Sequence, residues 1–245
     1  MNPTRTERGD VYVYGSAAEV ARAAADAFVA CVAGVLADRA TARVALAGGS
    51  TPKAMYRLLA SPAYRERVEW KRVEIYFGDE RCVPPEHAES NYRMAREALL
   101  DHVPLGADRV HRIAGERPPE EAAAQYQQKL VRLGDPPRLD LVLLGMGPDG
   151  HTASLFPGTP VLKETRALAA AVYVEKFSSW RVTLTAPVLS AAAHVIITAV
   201  GDEKADALML ALTKPAGTVP IQLVHAVDQR WLVDGAAAEK WRATI

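Results

Sequence analysis

Residues 142–154, VLLGMGPDGHTAS, run from an apolar segment straight into a loop with three glycines, and this junction decides how the chain is built. Residues 141–144 have the unbroken apolarity of a strand buried on both faces. Gly145, Gly147 and Gly150 then let the backbone approach a ligand without a Cβ in the way. The loop delivers an imidazole, His151, two residues after a carboxylate, Asp149. A structural loop has little use for that pair. An active site needs a group that takes and returns protons near neutral pH, held at a rigid strand end, so His151 is read as the catalytic base.

The same layout recurs on either side. Residues 43–47 read as a short strand, followed by Gly48, Gly49, Ser50 and Thr51 and a helix that Ser50 or Thr51 is expected to cap, with Pro52 at its first position. Residues 73–77 form another strand, ending in Gly78, Asp79, Glu80 and Arg81. Strands are expected at 181–185, 194–198 and 230–234, and helices at 16–38, 90–100, 120–133 and 202–212. The first helix carries Ser16 as N-cap and Glu19 as its capping-box partner. With no repeat or linker, the alternation predicts one α/β domain over residues 1–245, a mostly parallel sheet with helices on both faces. The polar loops at 48–51, 78–81 and 145–151 each follow a strand, so all three open onto the carboxyl edge, where such sheets bind ligands.

Bulk properties narrow the function. Lys plus Arg equals Asp plus Glu at 29 each and no basic block stands out, which leaves no electrostatic footprint for nucleic acid or an anionic membrane. No uninterrupted apolar run nears the roughly 20 residues of a membrane span, and the N-terminus lacks an apolar signal core, so a cytoplasmic location is expected. Cys31 and Cys82 match no metal or redox spacing; both are expected as reduced thiols, Cys31 in the core. The other histidines, at 87, 102, 111, 194 and 225, have no metal-ligand spacing, so no metal is expected and activity should survive a chelator.

An anionic ligand must therefore be held locally. Gly48-Gly49-Ser50-Thr51 is not a P-loop, since no Gly-Lys-Ser/Thr follows, but free amides at a helix start suit a monophosphate. Arg81 reads as a phosphate clamp, Asp79 as an acid/base group or hydroxyl anchor, and Glu80 as a residue facing solvent. Arg181 and Lys204 are candidate further cations, and Asp149 is expected to orient His151 rather than react.

Taken together, LAGGSTPKAMY (46–56), YFGDERCVP (76–84), SNYRMAREALL (90–100) and LLGMGPDGHTASLFPG (143–158) resemble the 6-phosphogluconolactonase family. RVTLTAPVLSAA, TAVGDEKADAL and IQLV follow in the family's order, so the likeness covers nearly the whole chain. The resemblance implies a Rossmann-like fold similar to glucosamine-6-phosphate deaminase and ribose-5-phosphate isomerase. It implies hydrolysis of 6-phospho-D-glucono-1,5-lactone in the oxidative pentose phosphate pathway, with no organic cofactor. The partner is then a small sugar phosphate, and the protein a monomer or small homo-oligomer. By the same resemblance His151 is the base, Arg81 a substrate contact, and Arg181 with Lys204 the phosphate-binding cations.

Water is expected to attack directly, since no serine sits in a nucleophile elbow, with the oxyanion held by amides of the glycine loop or a nearby cation. Two alternatives stand beside this reading. A sugar-phosphate deaminase or isomerase of the same fold would use Asp79 to abstract a proton, but Ser154 to Gly158 lacks the Asn-Glu-Pro-like segment of the deaminases. A non-catalytic sugar-phosphate regulator would carry a DNA-binding domain and a basic face.

Overall fold

A computed structural model describes residues 2–245. Strands β1 (Thr4–Thr6), β2 (Gly9–Tyr14), β3 (Ala42–Leu46), β4 (Val73–Phe77), β5 (Asp79–Arg81), β6 (Leu141–Gly145), β7 (Ala169–Val174), β8 (Ser179–Leu184), β9 (His194–Ala199) and β10 (Asp228–Asp234) form two sheets. The larger runs β1-β2-β10-β9-β6-β3-β4 and is parallel except for β1. Helices α1 (Ala17–Asp38), α2 (Ser50–Ala60), α3 (Pro62–Arg65), α4 (Asn91–Ala98), α5 (Pro119–Val131), α6 (Ala186–Ser190), α7 (Ala205–Thr213) and α8 (Gly235–Arg242) complete the chain. The expected α/β class is observed.

The helix starts show how local sequence sets these bounds. Ser16 accepts the amide of Glu19 at 3.3 Å, and Glu19 in turn accepts the amide of Gly15 at 2.8 Å, one residue earlier than a capping box would have it. α1, with 22 residues and an 18-residue stretch of mean hydropathy 1.8, is apolar and long enough to cross a membrane by composition alone. Its Val20, Ala24, Phe28 and Val32, however, lie in the core, at helical spacing on one face. At α2 the expectation fails: Gly49, at φ 108°, is the N-cap, and neither hydroxyl caps. Ser50 and Thr51 instead take the first two helical positions and Pro52 the third. Only glycine tolerates that φ without strain.

The second sheet, β5-β8-β7, is antiparallel and departs from the expected single sheet. Residues 79–81, expected as loop, are its short outer strand, and residues 181–183 pair with them instead of joining the parallel sheet. Three polar residues carry no period, and Ala-rich β7 has little β-propensity, so tertiary pairing decides both. Glu80 is the clearest correction. Far from facing solvent it is 3% exposed, accepting the amides of Asn91 at 2.7 Å and Tyr92 at 2.8 Å and the Ser90 hydroxyl at 3.0 Å. Burial pushes its carboxyl above the usual range, against those hydrogen bonds. Its oxygens thus anchor the start of α4 on β5. Glu80→Ala, which leaves these buried donors unpaired, is expected to lower unfolding stability by about 2–4 kcal/mol in a urea titration.

β3 leads to β4 on one side and β6 to β9 on the other, so a crevice opens where the order reverses. Cys31 and Cys82 are half-buried, Cys31 beside the core rather than within it. Burial pushes their thiols up to about 12 and about 11, which keeps both protonated and unreactive.

Candidate active site

A cavity of about 250 Å³ occupies that crevice, at the carboxyl ends of β9, β6, β3 and β4. Gly48, Gly49, Ser50 and Thr51 form one wall. Asp79, Arg81 and Arg181 come from the antiparallel sheet, Gly147 and His151 from the loop after β6, and Lys204 from the turn after β9. The structure therefore brings together every site residue expected from sequence except Asp149, which does not line the cavity and stands behind His151.

The imidazole and that carboxylate form a close pair, His151 Nδ1 to Asp149 Oδ1 at 2.5 Å. Asp149 also accepts from Lys176 Nζ at 3.2 Å. An ionised Asp149 fixes the proton of neutral His151 on Nδ1 and leaves Nε2 with a free lone pair. Burial works against the Asp149 charge, but His151 and Lys176 outweigh it and hold the carboxyl down to about 2. Burial likewise pushes His151 below the ordinary imidazole value, opposed by Asp149. The imidazole is thus mostly neutral at pH 7. Phe156 stacks on the imidazole, ring centroids 4.0 Å apart. Gly147 carries no side chain for a steric reason: a Cβ there would overlap both His151 and Asp149. The amides of Gly147 and Gly150 are already spent, on the carbonyls of His151 at 2.8 Å and of Gly147 at 3.0 Å. Those two amides are therefore not free to bind a ligand.

Asp79 is held from both sides. Asn91 Nδ2 donates to Oδ1 at 3.0 Å and Ser154 Oγ to Oδ2 at 2.6 Å. Asn91 also lies against Gly48, so one buried amide ties β5 to the wall before α2. Arg81 and Arg181 sit directly opposite each other in the β5–β8 ladder. Like charges in that position repel, and among the described residues neither guanidinium forms an ion pair with a carboxylate. The Nε of each is buried without a partner. Burial first, and the facing Arg81 next, lower the proton affinity of Arg181. Two facing guanidiniums without a carboxylate partner suit an anionic ligand.

At the other wall the helix α2 offers its first-turn amides and positive dipole end to the cavity. Lys204 reaches in from the turn Asp202–Lys204, which precedes α7, so the expected helix from residue 202 begins as a 3₁₀ turn. Its Nζ lies 3.6 Å from Glu203. Asp234 braces the turn by accepting the Gly201 amide at 3.1 Å while capping α8. Sequence reasoning missed Asn91, Ser154, Lys176 and Phe156. Asn91 lies in the motif at 90–100, and Ser154 and Phe156 in that at 143–158, where residue type alone gives them no task; a lone lysine between two short strands gives no signal.

Comparison with known proteins agrees with the geometry. A family model described as "Glucosamine-6-phosphate isomerases/6-phosphogluconolactonase" matches residues 15–233. The 6-phosphogluconolactonase of Streptomyces coelicolor is 36% identical over 236 residues, 90% of each chain. The solved structure of a 6-phosphogluconolactonase from Trypanosoma cruzi superposes with a TM-score of 0.83 at 30% identity, covering 98% of both chains. A monomeric glucosamine-6-phosphate deaminase gives a TM-score of 0.82 over 94% of this chain and 99% of its own, and at 20% identity that likeness shows the fold alone.

Proposed function

The chain belongs to the family of glucosamine-6-phosphate isomerases and 6-phosphogluconolactonases, and from that premise we propose that it hydrolyses 6-phospho-D-glucono-1,5-lactone to 6-phospho-D-gluconate. The reaction is a step of the oxidative pentose phosphate pathway. The observation that carries this reading is one imidazole, tautomer set by a carboxylate at 2.5 Å, facing a cavity that also holds three cations and a helix start. Neutral His151 takes a proton from water through Nε2, and the resulting hydroxide oxygen bonds to the lactone carbonyl carbon. The carbonyl π pair moves onto oxygen, where the field of Arg81 stabilises it, leaving Arg181 and Lys204 for the phosphate. As the tetrahedral intermediate collapses, the acyl carbon–ring oxygen bond breaks and imidazolium returns its proton to the departing ring oxygen. The product carboxyl then ionises. Asp79, already accepting from Asn91 and Ser154, anchors a sugar hydroxyl rather than moving a proton.

Two consequences concern pH and Asp149. A base that works unprotonated loses activity as pH falls, so kcat/KM should decline through a single ionisation below the ordinary imidazole value of about 6.5 and stay level above it. Asp149→Asn removes the charge that raises that ionisation and holds the tautomer. Its acid limb should move to lower pH while kcat drops by about 10²-fold or more, because the amide no longer holds the imidazole in its working tautomer. An unmoved limb measured by pH-stat in this variant would mean that the pair does not govern the base.

The function itself is tested by offering the purified protein fresh 6-phosphogluconolactone and, separately, glucosamine 6-phosphate. Acid release well above the spontaneous rate from the first, with no ammonia from the second, is expected. Ammonia release would assign it to the deaminating branch.

A further inference from the structure

The hairpin between β7 and β8 does more than connect two strands. Its tip, the turn Glu175–Phe177, ends at Ser178 with a left-handed φ of 45°, and Phe177 lies beside Arg181 and Phe156. The Arg181 guanidinium lies 5.0 Å from the Phe177 ring centroid and 5.4 Å from that of Phe156, and the two rings meet edge to face at 5.7 Å. Arg181 is 8% exposed, faces Arg81, and forms no side-chain hydrogen bond among the described residues. A buried cation beside a like charge has to be held by something.

We infer that Phe177, with Phe156, braces Arg181 between aromatic faces and is thereby a positioning residue that sets the protein's preference for phosphorylated over unphosphorylated lactone. A carboxylate could also hold the guanidinium, but it would occupy the forked N–H donors and cancel the charge that the substrate's phosphate has to meet. Aromatic faces attract a cation through the ring quadrupole and consume no donor. The terminal N–H donors of Arg181 are taken by no protein acceptor among the described residues and stay available for the ligand. Phe156 is buried and also stacks on His151, so its replacement would disturb the base directly. Phe177 is 47% exposed, touches no group that reacts, and can be changed without opening the core.

The inference rests on Arg181 being a phosphate ligand, and the test separates the two. Phe177→Leu, Phe177→Tyr and Arg181→Ala are compared with the wild type for kcat/KM on phosphorylated and unphosphorylated gluconolactone and for the dissociation constant of inorganic phosphate, by calorimetry. Leucine keeps bulk and apolarity but has no quadrupole. Phe177→Leu is expected to weaken phosphate binding about tenfold and to cut kcat/KM on the phosphorylated lactone by a similar factor, with a smaller loss on the other. Phe177→Tyr is expected to restore both. Equal losses on the two lactones, unchanged phosphate affinity, or a tyrosine variant as poor as leucine would each overturn the brace. If Arg181→Ala leaves phosphate affinity intact, the phosphate assignment of Arg181 falls first. If it weakens phosphate while Phe177→Leu does not, only the brace falls.

Discussion

Unphosphorylated gluconolactone is expected to be hydrolysed at least about 10³-fold less efficiently than its 6-phosphate, by kcat/KM, because two or more charge-assisted contacts of about 1.5–3 kcal/mol each disappear with the phosphate. Arg181, Lys204, Ser50 and Thr51 line one cavity together with His151, the proposed base. Binding energy from the phosphate end of the substrate is remote from the carbonyl, and part of it orients the lactone against the base. Replacing Lys204 by Ala should therefore narrow the gap between the two substrates, since a protein that grips phosphate less well loses its advantage only where phosphate is present. A two-by-two comparison of protein and substrate measures this. Should Lys204→Ala slow both lactones by one factor, the cation serves the fold or the chemistry and the phosphate lies elsewhere.

The second large effect is at the base. His151→Ala should lower kcat by about 10²–10⁴-fold, the usual worth of a general base, with KM little altered. The stacked Phe156 and the Asp149–Lys176 pair remain behind, so the cavity keeps its cations and its substrate affinity. Turnover near that of the wild type would remove His151 from the mechanism.

Much of this site was legible in one dimension because its parts follow strands. β6, β3 and β4 are five-residue strands buried almost throughout, and an apolar run broken by glycine or a polar cluster marks where each one ends. That reading located His151, Ser50, Thr51 and Asp79 at one edge. The pairing of Arg81 with Arg181 was not legible, since it spans 100 residues and depends on two short antiparallel strands without a period of their own. Glu80 misled for a related reason. A carboxylate between Asp and Arg reads as solvated, and only the approach of α4, whose amides it accepts, makes its burial stable. Ser50 and Thr51 were correctly placed at a helix start but wrongly made its cap, because the φ of 108° at Gly49 cannot be read from neighbouring residue types. Nothing in the sequence singles out Phe177, which meets Arg181 only because β7 and β8 pair.

The central claim is that water, activated by His151, attacks the lactone without a covalent intermediate. The most direct measurement is a single turnover in heavy-oxygen water, with protein in excess over 6-phosphogluconolactone and the product's carboxylate examined by mass spectrometry. Direct attack puts one solvent oxygen into the carboxylate in the first turnover, at a rate far above the spontaneous one. Product that emerges unlabelled, with the heavy oxygen later found on Asp79 or Asp149, would show that a carboxylate of the protein is the nucleophile and contradict the account.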